Sequence, residues 1–115
     1  MEEAVLLLHV VAQVYAAITL LFGHLLYDAP AEKLESARSI GNGALCVALV
    51  GFALLLQQPH RRHGLYFGVI AQYHAGVTFL NLRHPLMDMP WWAAPGFHGV
   101  LFLWFAARAF RRTRT

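Results

Sequence analysis

Apolar residues fill four long stretches of this chain, and charged residues stand almost entirely between them. Residues 4–26, 39–58, 63–82 and 91–107 contain no Asp, Glu, Lys or Arg. Each stretch is close to the roughly 17 to 25 residues that cross about 30 Å of hydrocarbon as a helix. A helix of a soluble bundle carries a charged stripe on its water-facing side, and none of these four does. The pattern predicts an all-α fold, a four-transmembrane-helix bundle with helices at about 4–26, 38–58, 63–82 and 91–110, forming a single transmembrane domain over 1–115.

The joints between the stretches are short and polar. Asp28 to Glu35 reads as the first loop, Gln58 to Arg62 as the second and Arg83 to Pro90 as the third. Pro30, Pro59, Pro85 and Pro90 fall in or beside them, where a missing backbone donor costs little. Pro95 belongs to the first turn of the fourth helix, where proline is tolerated. Four crossings put the N-terminus, the Pro59 turn and the C-terminus on one side, with Arg61, Arg62, Arg111, Arg112 and Arg114, and Arg108 close by. The other side holds Lys33, Arg38 and Arg83 beside four carboxylates, so the enrichment of Lys and Arg in short cytoplasmic loops predicts both termini in the cytoplasm. Trp91 and Trp92 then fall at the outer interface.

Composition narrows the class further. The chain is 58% hydrophobic and 13% charged, against roughly 25% charge in a soluble domain. The net charge of +3 is accounted for by topology, and no nucleic-acid partner is expected. Glu2 and Glu3 stand where a secretory signal would be basic, so the first stretch is read as a retained helix. Cys46 is the only cysteine, which excludes an intramolecular disulfide and a thiol pair. Lys33 is the only lysine and is read as a loop residue, so no Schiff base is available within the bundle. Gly41, Gly43, Ala44, Ala48 and Gly51 give the second helix a surface for close approach, and Gly64, Gly68 and Gly76 do the same for the third.

Seven histidines in 115 residues are the most informative chemistry. His60, His63 and His84 are at or near loops and read as interfacial. His9, His24, His74 and His98 lie within apolar stretches, where an unpartnered polar group costs several kcal/mol and so turns inward. On a helical wheel His9, Gln13 and His24 share one face, as do His63, Phe67, His74, Thr78 and Asn81, while Arg38, Asn42 and Cys46 follow one another by turns. Four such faces predict one shared interior. Counting about 1.5 Å per residue from the outer surface, His74 and His98 reach a common depth, beneath Asn42, Asn81 and Thr78. The expected cavity opens outward, with His74, His98 and aromatic rings as its floor and Arg38 at its mouth.

Three readings of this constellation compete. A histidine pair with amide and hydroxyl neighbours can bind, and exchange protons with, an apolar molecule. Two facing imidazoles can ligate haem or a metal. Interhelical hydrogen bonds can also be purely architectural. No His-x-x-x-His or Glu-x-x-His pair occurs within a stretch, and no carboxylate lies inside any of them, which argues against transport through a membrane glutamate.

The strings Ala37-Arg-Ser-Ile-Gly-Asn-Gly-Ala-Leu, Gln72-Tyr-His-Ala-Gly and Pro95-Gly-Phe-His, set in this four-helix plan, resemble the DoxX-like group of small membrane proteins. The resemblance implies a four-helix bundle and, for some members, association with quinone-linked oxidation complexes.

The expectation is a multi-pass protein of a bacterial inner membrane or eukaryotic endomembrane that binds a hydrophobic small molecule, quinone-like or isoprenoid-like. As an enzyme it would isomerise, cyclise or transfer protons. His74 and His98 are the expected catalytic groups; His24, Arg38, Asn42, Thr78, Asn81, Trp91 and Phe102 are the expected ligand contacts. No metal site and no cofactor are expected, haem b on His74 and His98 being the alternative. The partners are the lipid bilayer and the small molecule, with a homo-oligomer or a larger membrane complex anticipated because so short a chain has little interior. The runner-up function is a non-catalytic subunit of such a complex.

Overall fold

The computed structural model describes residues 1–22, 31–83 and 92–113. They form four α-helices, α1 (Glu2–Phe22), α2 (Ala31–Leu56), α3 (Gly64–Arg83) and α4 (Ala93–Thr113), with a 3-10 turn at Pro59–Arg61. No strand occurs among the described residues. The chain divides into two compact units, Met1–Leu56 and Gln57–Thr115, each built on one helix pair.

Two boundaries differ from the sequence reading. α2 starts at Ala31, so Glu32, Lys33 and Glu35, read as loop, are helical. Residues 31–35 are good helix formers, and propensity decides where charge alone reads as a loop. α4 runs on to Thr113 and takes in Arg111 and Arg112, which suit a helix C-terminus. Of the four expected membrane spans, α1 and the 35–56 part of α2 are long and apolar enough to cross a bilayer. Gln72, Tyr73, His74 and Asn81 dilute the apolarity of α3, as His98 and Arg108 do in α4.

In the first unit, α1 buries a single stripe, Glu2, Leu6, His9, Gln13 and Ala17. It meets α2 along Gly41, Ala44, Val47, Ala48, Gly51 and Leu54, all buried. Two glycines set the approach. A Cβ on Gly41 would come within 3.0 Å of Leu20 and Leu21, and one on Gly51 within 2.8 Å of the His9 ring. The small-residue surface expected on α2 is therefore its contact face at these two points. Gly76 of α3 has nothing within 4 Å of an added Cβ, so it is not the packing notch that its sequence context suggested.

In the second unit, α3 and α4 run antiparallel, since contacts that ascend one helix descend the other. Phe67 packs against Phe105 with ring centroids 6.3 Å apart. At the lower end, Nη1 of Arg112 donates to the carbonyl oxygens of Pro59 at 2.6 Å and Arg62 at 3.1 Å. The guanidinium also lies over the Phe67 ring, 5.4 Å from its centroid, a cation–π arrangement. One side chain thus ties the end of α4 to the turn that launches α3.

Candidate functional site

The two histidines expected to carry chemistry meet. His74 lies mid-way along α3 and His98 in the second turn of α4, and their Nδ1 atoms are 2.8 Å apart. His74 is fully buried and His98 partly exposed. The ring planes are tilted by 34° with centroids 5.0 Å apart. On its other side His74 stacks on Phe105 at 5.8 Å, nearly parallel. Tyr73 presents an edge to both imidazoles, at 5.4 Å from His74 and 6.5 Å from His98. An aromatic wall therefore fixes the two rings, and a column of His98, His74, Phe105, Phe67 and Arg112 runs down the helix interface.

A hydrogen bond between two Nδ1 atoms constrains the protons. One nitrogen must donate and the other accept, so the rings hold opposite tautomers when neutral. One then carries a bare Nε2 and the other an Nε2–H. When the bare Nε2 takes up a proton, the shared proton crosses the 2.8 Å contact and the other Nε2 releases its own; the two rings end with exchanged tautomers, which makes the pair an acid and a base at once. The partly exposed His98 gives the buried His74 a route for protons.

The same distance bears on metal ligation. Two imidazoles holding one ion in line, with bonds of about 2 Å, need their nitrogens about 4 Å apart. At 2.8 Å the two Nδ1 atoms are within hydrogen-bond distance, so in this arrangement no ion lies in line between them. Among the described residues no group of three or more His, Cys, Asp or Glu is placed to hold a metal ion.

Other expected site residues divide. Thr78 donates its hydroxyl to the His74 carbonyl oxygen at 2.7 Å, and the Asn81 amide donates to that of Val77 at 2.9 Å. Both donors are thus spent on their own helix, the usual way for such side chains to survive in apolar surroundings. Thr78 is near the pair, and its methyl lies 4.0 Å from where a Cβ on Gly99 would stand. Arg38, Asn42 and Cys46 occupy an exposed face of α2, away from its contact with α1, which the glycines and alanines on the opposite side make. His24 and Trp91 lie outside the described residues. Phe102 lines an open apolar groove of about 750 Å³ together with Gly68, Ala75 and Ala106. That groove descends from the level of the histidines toward the arginine-rich end, away from the expected outward mouth.

Several polar side chains find partners that the residue pattern did not name. His9 is buried and its Nε2 donates to the Val47 carbonyl oxygen at 3.0 Å, a bond between α1 and α2. One turn along, Gln13 is buried with its Oε1 accepting no hydrogen bond among the described residues. His63, grouped by the wheel with His74, instead caps α3 by accepting the Leu65 N–H at its Nδ1, 3.0 Å away. A backbone partner leaves no trace in a residue pattern; the cap was detectable only from the position of His63 just before Gly64. No family model, curated protein or solved structure matches the chain, so the functional argument rests on the histidine pair itself.

Proposed function

We propose that this chain is a four-helix integral membrane protein, with both termini cytoplasmic, that binds a hydrophobic small molecule against His74 and His98 and exchanges a proton with it. The observation that carries the chemistry is the 2.8 Å contact between Nδ1 atoms, buried on one side and accessible on the other. Removing a proton from one carbon of an apolar substrate and returning one to another is an isomerisation. It needs no oxidant, reductant or cofactor, only an acid and a base that exchange roles, which opposite tautomers supply. A quinone-like or isoprenoid-like molecule suits the aromatic surroundings of the pair, where Tyr73 presents its edge to both imidazoles.

Support for lipid solvation comes from α1. Its buried stripe carries Glu2, His9 and Gln13, whereas Leu7, Leu8, Val11, Tyr15, Ile18 and Phe22 are exposed. Water would favour the reverse distribution. A core helix of a soluble protein can be equally apolar, but it is mostly buried; here 22% of the α1 span and 33% of the α2 span are buried. In α3 and α4 the histidine pair, Thr78 and Asn81 are met internally, which lowers the cost of placing these groups in hydrocarbon.

The second reading, a non-catalytic subunit, draws on the same contact, because a hydrogen bond between helices in lipid contributes about 0.6 to 2 kcal/mol whatever else it does. Single His74→Asn and His98→Asn variants separate the two. Co-purified small molecules are extracted and measured by mass spectrometry, and folding is followed by circular dichroism. Loss of one apolar species from both folded variants supports proton exchange with a ligand; folded variants that retain every species, or a native chain that carries none, refute it.

A further inference from the structure

The apolar groove of the α3–α4 unit is not used by this chemistry, and its shape and surroundings point to an occupant. Its α3 wall runs from Gly64 to Ala75, about 16 Å at the helical rise, and its α4 wall from Phe110 back to Phe102. The floor lies open where a side chain is missing: a Cβ added to Gly68 meets only the Ala109 methyl, at 3.8 Å. An open, apolar, elongated trough suits a flexible hydrocarbon chain better than a rigid ring system.

Charge marks one end. Gly64 follows Arg61 and Arg62 by two or three residues, and Phe110 directly precedes Arg111 and Arg112. The bonds from Arg112 to the Pro59 and Arg62 carbonyls hold those two segments together, and Arg61 and Arg111 are exposed there. The only carboxylate between residues 57 and 115 is Asp88, in the segment joining the far ends of α3 and α4. Clusters of arginine at a membrane surface attract anionic headgroups.

We propose that this groove seats one chain of an anionic phospholipid whose phosphate rests on Arg61 and Arg111. The proposal rests on the membrane reading above and is independent of the histidine chemistry. About 1 kcal/mol for each of two arginines corresponds to a preference of roughly 30-fold for an anionic over a zwitterionic lipid.

The test uses the full chain in non-ionic detergent, titrated with phosphatidylglycerol or phosphatidylcholine of identical chains and read by native mass spectrometry. The expected result is at least a 10-fold preference for phosphatidylglycerol. The double variant Arg61→Gln, Arg111→Gln should lose that preference, and Gly68→Leu should weaken both lipids by filling the trough. Ala106→Leu fills it from α4 should Gly68→Leu fail to fold. Equal binding of the two lipids, a folded trough-filling variant that binds as before, or displacement of the lipid by inorganic phosphate at equal concentration would each overturn the proposal. His74→Asn should leave the lipid preference intact. A chain that inserts into bilayers but shows no headgroup preference refutes this proposal alone, whereas one that stays in water removes the membrane reading beneath it.

Discussion

Substituting Gly51 by alanine should cost this protein stability, although alanine is the better helix former. The added Cβ would stand 2.8 Å from Cδ2 and 3.3 Å from Nε2 of His9, and 3.0 Å from Cγ2 of Val10. The ring cannot retreat cheaply, because Nε2 is donating to the Val47 carbonyl oxygen at 3.0 Å. In an α-helix that carbonyl is also the acceptor for the N–H of residue 51, so the histidine reaches it only across the space that glycine leaves. Overpacking of this kind costs about 1 to 3 kcal/mol, and loss of the interhelical hydrogen bond adds about 0.6 to 2 kcal/mol. The gain in helix propensity returns at most about 1 kcal/mol. The net expectation is a loss of about 2 kcal/mol, measured by reversible unfolding in mixed micelles with increasing dodecyl sulfate. Gly76→Ala is the internal control, since nothing lies within 4 Å of its added Cβ; it should be neutral or stabilising by up to about 1 kcal/mol. In a His9→Ala background the cost of Gly51→Ala should fall well below its value in the native chain. A Gly51→Ala variant as stable as Gly76→Ala, or a cost unchanged by removing His9, would refute the reasoning.

Three further outcomes are expected. Cys46 is exposed on the surface of α2 yet faces lipid in this account, so a charged maleimide should leave it unmodified in intact bilayers and label it fully in dodecyl sulfate; rapid labelling in bilayers contradicts the placement. Arg112→Ala removes both bonds to the turn before α3 and should lower stability by about 1 to 2 kcal/mol, with Arg112→Lys recovering part of it in the same unfolding assay. His63→Ala removes the cap of α3 and should cost about 0.5 to 1 kcal/mol, seen as faster amide exchange in the first turn of α3 with the remainder unchanged.

The helical class was legible because charge avoids four stretches so completely, and the meeting of His74 and His98 because antiparallel helices of known rise make depth countable. The use of Gly41 and Gly51 as contact points could also be read, since small residues are what let backbones approach in lipid. Direction around a helix was less legible. Polarity places Arg38 and Asn42 on one face of α2, but Ala44, Val47 and Ala48 on another face make the contact with α1, and polarity alone does not tell which face meets that neighbour. The start of α2 was missed because Glu32, Lys33 and Glu35 signal a loop by charge and a helix by propensity, and propensity prevailed. Thr78 and Asn81 were found as polar positions near the pair, but whether a hydroxyl or amide turns to a ligand or to its own helix is a rotamer choice that spacing does not encode. The inward turn of His9 was legible in the same way, but not its partner, a backbone carbonyl available at any residue.

The proposed chemistry requires His74 and His98 to share one proton between their Nδ1 atoms. Nitrogen NMR of histidine-labelled protein in bilayers measures this directly, with His74→Asn and His98→Asn assigning the signals. The account predicts a scalar coupling across the hydrogen bond between the two Nδ1 nuclei, one protonated and one bare, with the opposite assignment at Nε2. Two uncoupled rings, both carrying their proton on Nε2, would contradict it.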